Sequence, residues 1–357
     1  MAGLASALAG LGCNVTYVAE QEQSADRVVL GWQVPDMQGV RLRVVLDSVA
    51  INILVQEASP RSVHICQGIR GNGTISIAQR ALTRRGLRQW VVMETVDDAG
   101  VVGMLKRWEY ARQFRGKGRS LEGVLATGHK TMDWIIDRGM SARRVYPFAY
   151  FLPDVGMPEP KRQRQPGPFR FLFVGQFILR KRFDLLVHAL RALMDREFQL
   201  LVVGAGPREK HLRRLAESAL PDRVNWLGRR PQAEVLPIMR QADCLVLPSR
   251  HDGWGAAICE AMMAGTPVIC SDACGAAGVV KASGVGAVFQ SDHCHELRAK
   301  LVEQFKSGPS TTEDRIQLAS WATVLGAEAG ARYLLSILNH TTKGGSRPVP
   351  PWHTAQT

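Results

Sequence analysis

A long apolar run is missing from this sequence. Its only extended stretch without charge, residues 1–19, contains Gly, Ser, Asn and Thr and has no basic leader, which argues against both a membrane span and a signal peptide. The composition, 46% hydrophobic and 22% charged, is typical of a soluble globular protein. We therefore expect a cytoplasmic protein.

Cysteines are few and odd in number. There are seven, and most lie in apolar segments, as small buried thiols do, which argues against a disulfide framework. Cys270 and Cys274 are four residues apart without a second pair, and the short cluster His293, Cys294 and His295 lacks the spacing of a structural zinc site. We expect neither a metal nor another cofactor.

Acidic residues are scarce relative to basic ones. There are 32 against 45, a net charge of +13, which indicates an anionic partner such as phospholipid headgroups or a phosphorylated ligand. In Lys106–Arg119 six basic residues accompany the helically spaced Leu105, Trp108, Ala111 and Phe114. This pattern is typical of a helix on an anionic membrane surface, at the inner face of the plasma membrane, but also of a solvated helix covering its own domain, which we favour. A nucleic-acid partner is not expected, because no recognisable binding motif accompanies the charge.

The chain length suits two domains. In residues 1–152, a helix ending near Gly12 and the strand-like segments NVTYV, RLRVVLD, VHICQGI, QWVVMET, GVLATG and RVYPFAY alternate with helical or irregular stretches, which predicts a parallel sheet. Residues 153–168, with five prolines, are the predicted linker. Residues 169–310 alternate more regularly and predict a doubly wound sheet. We expect helices over residues 311–340 that pack back toward the first domain, and a disordered tail over residues 341–357.

The segment HDGWGAAICEAMMAG, residues 251–265, places one carboxylate in an otherwise apolar helix. A buried glutamate is costly unless it is paired or hydrogen-bonded, so Glu260 predicts a polar partner. The preceding strand brings this loop to the carboxyl edge of the sheet, where the helix directs its first amide groups at a phosphate. Glu260 could then accept hydrogen bonds from a ribose, and Asp252 could hold a sugar. The alternative is a solvent-facing glutamate in an ordinary helix.

Five segments in a fixed order resemble a known family: FVGQFILRKRFDLL, LVVGAGP, VNWLG, ADCLVLPSRHDGWGAAICEAMMAGTPVICSD and GVGAVF. Between residues 171 and 289 the chain resembles the C-terminal domain of retaining glycosyltransferases of family 4, among the glycosyl transferases group 1. The resemblance implies an α/β protein with the GT-B fold, in which two Rossmann-like, doubly wound parallel-sheet domains face a central cleft.

The resemblance also implies site residues. The family's paired acidic motif falls on Asp252 and Glu260, and Lys181 matches the lysine that holds the donor diphosphate; these three are the implied catalytic residues. The implied donor-binding set is Gly175, Arg180, Lys181, Gly228, Asp252, Gly253, Trp254, Gly255, Ala256 and Glu260. A solvated basic pair is the alternative interpretation of Arg180 and Lys181.

Several positions depart from the family pattern. A family arginine is Gln176 here, the glycine after the lysine is Arg182, and a frequent glutamate is Gly278. Family members begin with a strand and a glycine-rich loop, whereas this chain is expected to begin inside the first helix and so to be truncated at its N-terminus.

Candidates in the first half are weaker. Glu94 ends a predicted strand, where its side chain could reach the donor sugar, and the turn QGIRGNG carries Gly71 and Gly73. We favour a structural role for each of them. The lone histidines His64 and His129 are interpreted as packed side chains.

The resulting hypothesis is the transfer of a hexose, with retention, from a UDP- or GDP-linked sugar to an acceptor hydroxyl. The reaction is expected to be metal-independent. The acceptor is expected to be a saccharide or lipid-linked saccharide in bacterial lipopolysaccharide, exopolysaccharide or glycolipid assembly. Two alternatives stay open. One is a nucleotide-sugar epimerase of the same fold, and the other is a truncated, non-catalytic nucleotide-binding partner subunit.

Overall fold

A computed structural model describes residues 1–21, 37–45, 47–70, 72–157 and 167–354. In these ranges the helices are α1 (Ala2–Gly10), α2 (Ser48–Glu57), α3 (Thr74–Arg84), α4 (Gly100–Gly116), α5 (Thr131–Ile136), α6 (Phe183–Leu190), α7 (Glu209–Ala219), α8 (Gln232–Gln241), α9 (Ala256–Met263), α10 (Ala277–Ser283), α11 (Cys294–Ser307), α12 (Thr312–Ala322), α13 (Ala327–Lys343) and α14 (Pro351–Thr354). The strands are β1 (Val15–Ala19), β2 (Val40–Val44), β3 (Val63–Gln67), β4 (Arg88–Glu94), β5 (Gly123–Thr127), β6 (Val145–Phe148), β7 (Phe169–Val174), β8 (Phe198–Val203), β9 (Val224–Gly228), β10 (Cys244–Leu247), β11 (Val268–Ser271) and β12 (Ala287–Phe289).

The C-terminal sheet has six parallel strands in the order β9-β8-β7-β10-β11-β12. Its strands are short apolar runs because helices cover both faces: Phe171 and Phe173 face one core, and Leu172 faces the other. The chain reverses its winding direction between β7 and β10. Such a switch point opens a crevice at the carboxyl ends of the strands, where ligands of this architecture bind.

The N-terminal half contains a parallel sheet of four strands in the order β3-β4-β5-β6 and a separate parallel pair, β1-β2. The expected parallel α/β arrangement is confirmed, but in the described residues its strands form two sheets. The carboxyl ends of β4 and β5 face the C-terminal half, because Glu94 and His129 contact its loops. A central cleft between two α/β halves is therefore present.

Of α12 and α13, the first two helices after residue 311, α13 packs on the N-terminal half, whereas α12 lies on the C-terminal half, where Arg315 donates to the Arg240 and Ala242 carbonyls at 3.2 and 2.6 Å. Thr311 caps α12 through a reciprocal capping box with Asp314. Further on, the Tyr333 hydroxyl in α13 donates to the Pro147 carbonyl at 3.0 Å, and Leu152 exchanges backbone hydrogen bonds with the turn before α13.

The expectation of a disordered tail over residues 341–357 was wrong for its described part. Residues 341–343 complete α13, and residues 351–354 form α14. Trp352 is only 7% exposed, with its ring 6.3 Å from that of Phe151 and 6.4 Å from that of Tyr333. Arg347 lies over the Tyr146 ring. Burial of one tryptophan outweighs the turn-forming composition of this segment.

The predicted linker lies partly outside the described residues, which omit 158–166. Before this gap, the carbonyls of Val155 and Gly156 accept hydrogen bonds from Arg240 at 2.8 and 2.9 Å. This segment is therefore attached to the C-terminal half.

Candidate active site

Three loops meet at the switch point of the C-terminal sheet. They follow β7, β10 and β11, and they hold each other through backbone hydrogen bonds. Arg250 N–H donates to the Arg180 carbonyl at 2.7 Å, Asp252 N–H donates to the Ala273 carbonyl at 3.1 Å, and Gly275 N–H donates to the Asp252 carbonyl at 2.9 Å. The strand order thus brings together motif residues that lie about seventy positions apart.

Lys181 and Asp252 form the central ion pair of this crevice. The Lys181 ammonium lies 2.5 Å from Asp252 Oδ2, and both side chains are 13% exposed. Arg180 joins from the more open side, with its guanidinium 3.9 Å from Asp252 Oδ1 and 3.1 Å from the His251 carbonyl, to which it donates. Lys181 is therefore not a merely solvated cation, whereas the Arg180 side chain is 45% exposed and remains partly solvated. A charge pair this close and this shielded interacts more strongly than an exposed pair.

Arg182, which follows this pair, adopts a left-handed backbone with φ +50°. Glycine tolerates this conformation best, which explains why a glycine is usual there. Arg182 is held in place by ion pairs with Asp184 and Asp292. The departure from the family pattern therefore keeps the same backbone.

Gly253 marks the closest approach of the two halves of the cleft. A Cβ atom on Gly253 would lie 1.5 Å from Glu94 Oε2, and one on Gly275 would lie 1.9 Å from the Gly253 carbonyl oxygen. At Gly275 the conflict is with backbone, so only glycine fits, whereas at Gly253 it is with the Glu94 side chain, which a larger residue would force to move. Glu94, for which we favoured a structural role, therefore lies against the donor-side loop.

Burial raises the pKa of Glu94, and the nearby Asp252 charge adds to this effect, whereas a hydrogen bond from Tyr150 opposes it. Tyr150 also packs near Trp254, with ring centres 6.3 Å apart. Sequence reasoning missed Tyr150, although it stands at the end of a predicted strand of the first half. Glu94 and Tyr150 give the N-terminal half a polar surface opposite Asp252.

The N-terminus of α9 opens into the same crevice. Gly255 precedes the helix with φ +88°, and Ala256 is its first residue. Trp254 is buried, at 3% exposure, and its carbonyl accepts a hydrogen bond from Ala276 N–H at 2.8 Å. Amide groups of a first helical turn attract anions, and phosphate is the usual one.

Glu260 has the polar partner that its position demanded. Its Oε1 accepts a hydrogen bond from Gln232 Nε2 at 2.9 Å, and burial raises the pKa of Glu260 while this bond opposes the rise. Glu260 itself is partly exposed, so its role as a ribose ligand and the alternative of a solvent-facing glutamate both stay predictions. Gln232 is the first residue of α8. It was missed because the sequence around it does not distinguish it from any glutamine at the start of a helix.

The remaining donor-side glycines shape the crevice. Gly175 directly follows β7, where a Cβ atom would lie 3.3 Å from the Phe173 ring and 3.8 Å from Lys181 Cδ. Gly228 ends β9 with φ +68°, and its carbonyl accepts from Gly204 N–H at 2.9 Å. Gly228 thus closes the far side of the crevice beyond β8.

The other candidates in the first half lie elsewhere or serve packing. Gly71 is outside the described residues, and Gly73 begins α3 beside Glu20. His64 bonds the Arg88 carbonyl at 3.3 Å, as expected of a packed histidine.

His129 contributes to the contact between the halves of the cleft. The backbone N–H of His129 donates to the Gly275 carbonyl at 3.0 Å. Burial lowers the pKa of the His129 imidazole. A Cβ atom on Gly278 would lie 2.7 Å from His129 Cβ. The absence of a side chain at position 278 therefore lets His129 pack closely on the C-terminal half.

The basic helix predicted around residues 105–119 is α4, but its apolar stripe divides. Phe114 is 2% exposed and belongs to the core, whereas Leu105 and Trp108 are 66% and 67% exposed. Lys106 and Arg107 fold back onto the carbonyls of Asp97 and Asp98. The helix thus both covers its own domain and leaves an apolar surface open.

The structure contains no cluster of three or more His, Cys, Asp or Glu side chains placed to hold a metal, in the part of the chain that it describes. The metal-free reaction stays a prediction. Within the same residues, every helix is too short or too polar to cross a bilayer.

Comparisons with known sequences agree with this geometry. Residues 159–320 match the family described as glycosyl transferases group 1. An uncharacterized glycosyltransferase of Methanocaldococcus jannaschii is 30% identical over 138 residues, 38% of this chain and 38% of that protein. The 2-deoxystreptamine glucosyltransferase of Streptomyces kanamyceticus is 39% identical over 99 residues, 27% of this chain and 26% of that protein. The chain thus spans well under half the length of these relatives.

Solved structures match over a larger part of the chain. The lipopolysaccharide outer core galactosyltransferase WaaB superposes with a TM-score of 0.67 at 16% identity, covering 95% of this chain and 93% of that chain. The Anabaena protein HepE, solved in complex with UDP, gives a TM-score of 0.70 at 15% identity, covering 92% of this chain and all of that chain. At such identities the likeness shows the fold. The match to glycosyl transferases group 1 thus covers residues 159–320, and the chain that contains them has the GT-B fold.

Proposed function

We propose that this protein is a retaining glycosyltransferase of family 4, which moves a hexose from a UDP- or GDP-linked sugar to an acceptor hydroxyl. The observation that carries the proposal is the shielded Lys181–Asp252 pair at the switch point, 2.5 Å apart, directly before the N-terminus of α9. Such an arrangement supplies positive charge to a diphosphate and a carboxylate to the sugar attached to it.

When the donor binds, Lys181 exchanges its ion pair with Asp252 for one with the donor diphosphate. Lys181, Arg180 and the first amide groups of α9 then stabilise the negative charge that develops on the leaving phosphate. Asp252, released from the pair, accepts hydrogen bonds from the sugar hydroxyls. Because these groups supply the positive charge, the reaction needs no divalent metal, and activity should survive chelation by EDTA.

Retention follows from attack on the face that the phosphate leaves. The C1–O bond to the phosphate breaks, the C1–O bond to the acceptor forms on the same side, and the acceptor proton passes to the departing phosphate oxygen. Glu94 and Tyr150 face this point from the N-terminal half and orient the acceptor. A trapped covalent sugar–enzyme species would contradict this mechanism.

Glu260 is proposed to hold the nucleotide ribose. Glu260 lies on α9, which follows the loop that carries Asp252. Its carboxylate oxygen already accepts a hydrogen bond from Gln232 and can accept one from a ribose hydroxyl in the same way. The structure of HepE in complex with UDP supports a uridine nucleotide as the first donor to test, with GDP as the second.

The acceptor is proposed to be a saccharide or lipid-linked saccharide of a bacterial surface polysaccharide, such as lipopolysaccharide. The net charge of +13 and the open apolar surface of α4 support a protein that works beside an anionic membrane, on its cytoplasmic side.

The test compares wild-type protein with Asp252→Asn, using Asp195→Asn, which alters an exposed aspartate, as the control. We expect Asp252→Asn to lower sugar transfer at least a hundredfold while nucleotide binding persists, and the control to keep its rate. The anomeric configuration of the product, read by NMR, tests retention. Transfer at the normal rate by Asp252→Asn would reject the assignment.

The same assay separates the two alternatives. An epimerase would convert the donor sugar without any acceptor. A non-catalytic partner subunit would be stabilised by nucleotide but would transfer nothing with any donor.

A further inference from the structure

A cavity of about 680 Å³ lies between α3 and α4, on the N-terminal half. Five basic side chains line it: Arg80, Arg84, Arg112, Lys117 and Arg119. Among the described residues that line it, none is aspartate or glutamate. This volume lies within the range of sites that bind small molecules, about 300–1,000 Å³.

The charge of this cavity is not balanced by its surroundings. The two nearest glutamates in sequence pair with other arginines: Glu109 with Arg70 at 2.6 Å, and Glu122 with Arg88 at 2.8 Å. Within the described ranges, none of the five basic residues of the cavity forms an ion pair. Burial, together with the charges of Arg80 and Arg112, lowers the pKa of Lys117, so these cations lie close enough to repel each other. An anion in the cavity would relieve this repulsion.

The apolar surface beside the cavity indicates the source of that anion. Five large apolar side chains of α4 are more than half exposed: Val101, Val102, Met104, Leu105 and Trp108. The Arg112 guanidinium lies 5.8 Å from the centre of the Trp108 ring, so the apolar surface and the basic cavity are continuous. A free phosphate or a nucleic acid would leave these side chains in water, whereas a lipid offers both an anionic headgroup and acyl chains.

We propose that the cavity between α3 and α4 binds the phosphate of an anionic lipid headgroup while the exposed face of α4 inserts among the acyl chains. This inference deepens the proposed membrane association and gives it a defined site. It does not depend on sugar transfer, because the site lies in the half of the chain opposite the Lys181–Asp252 pair.

The experiment measures partition of the full chain onto vesicles of phosphatidylglycerol and phosphatidylcholine by co-sedimentation. The test variant is Arg112→Gln with Lys117→Gln, and the control is Arg298→Gln with Lys306→Gln, which removes the same net charge from exposed positions of α11. A second cavity variant, Arg80→Gln with Arg84→Gln, covers the case in which the first does not fold. Each cavity charge should contribute about fivefold to partition, so each cavity variant, which removes two charges, should lose about 25-fold.

We expect both folded cavity variants to lose binding while the control changes less than threefold. Equal losses in cavity and control variants would overturn the proposal in favour of a diffuse charge effect. Replacing Trp108 and Leu105 by serine should also weaken binding; unchanged binding would overturn the lipid as occupant. The lipid would also be overturned as occupant if inorganic phosphate alone released all of the protein from the vesicles. The same holds if duplex DNA at low concentration released the protein from them. Nucleotide binding, measured in parallel, reports on the proposed transferase site and is expected to be equal in all variants.

Discussion

Replacing Glu260 by glutamine separates the ribose-binding role from a structural one. The substitution keeps the size of the side chain and removes its charge. In the structure Glu260 accepts one hydrogen bond, from Gln232 at 2.9 Å, and burial raises its pKa. The protein thus keeps a carboxylate where the folded state disfavours its charge, and a bound ribose would compensate for this cost.

The magnitude follows from the hydrogen bonds at stake. Bonds to a charged group contribute about 1.5–3 kcal/mol net, so Glu260→Gln should weaken nucleotide binding about 10- to 150-fold. Stability should change in the opposite direction. Because the folded pKa of Glu260 lies above its unfolded value of about 4.3, the folded state binds more protons in the window between the two values, and stability falls as pH rises through it. Glu260→Gln has no such titrating group, so its free energy of unfolding should exceed that of the wild type most at neutral pH. The difference should shrink toward pH 4.

The assay is thermal unfolding with and without UDP, GDP and ADP, with titration calorimetry on the nucleotide that stabilises the wild type. A ligand at a hundred times its dissociation constant stabilises the native state by about 2.7 kcal/mol, which thermal unfolding detects. Glu217→Gln, at an exposed position of α7, is the matched control. Wild-type affinity in Glu260→Gln would refute the ribose assignment, and a lower melting temperature at pH 7 would refute the argument from its pKa.

Two further predictions concern packing. Gly253→Ala places a Cβ atom 1.5 Å from Glu94 Oε2, so it should weaken donor binding and with it lower sugar transfer at least tenfold, and adding Glu94→Ala should restore donor binding. Gly10→Ala, with open space around its Cβ position, is the control, and equal rates in the two glycine variants would show that the halves do not touch there. Trp352→Ala should destabilise the fold by about 3 kcal/mol, because Trp352 is 7% exposed. A denaturant midpoint equal to that of the wild type would mean that the C-terminal segment is not packed in solution.

The sequence predicted the C-terminal half well because its strands are buried on both faces. Continuous apolar runs such as FRFLFV stand out between amphipathic helices. The N-terminal half was predicted as parallel α/β, but not its division into two sheets, since strand pairing between distant segments leaves no local pattern. The tail around Trp352 was mistaken for disorder because its Pro, Gly and Thr composition hides a single buried aromatic ring.

The site was predicted unevenly for a similar reason. Asp252 and Glu260 were found because a carboxylate in an apolar helix needs an explanation within its own segment. Gln232 and Tyr150 were missed, and the weight given to Glu94 was too low, because each depends on a partner from another part of the chain. Their local sequences carry no functional signal, and only the fold places their side chains beside the segment that carries Asp252 and Glu260.

What the sequence determined by itself is the class of the protein and the chemistry of one loop and helix, since apolar periodicity and the cost of burying a charge act over short stretches. The tertiary structure decided which residues complete the site and which face of α4 stays open. Lys181 meets Asp252 only because β7 and β10 are neighbours in the sheet, and the five cations of the cavity meet only because α3, the end of α4 and the turn after it line the same cavity. Contacts of this kind are fixed by the packing of the whole chain, and no segment alone encodes them.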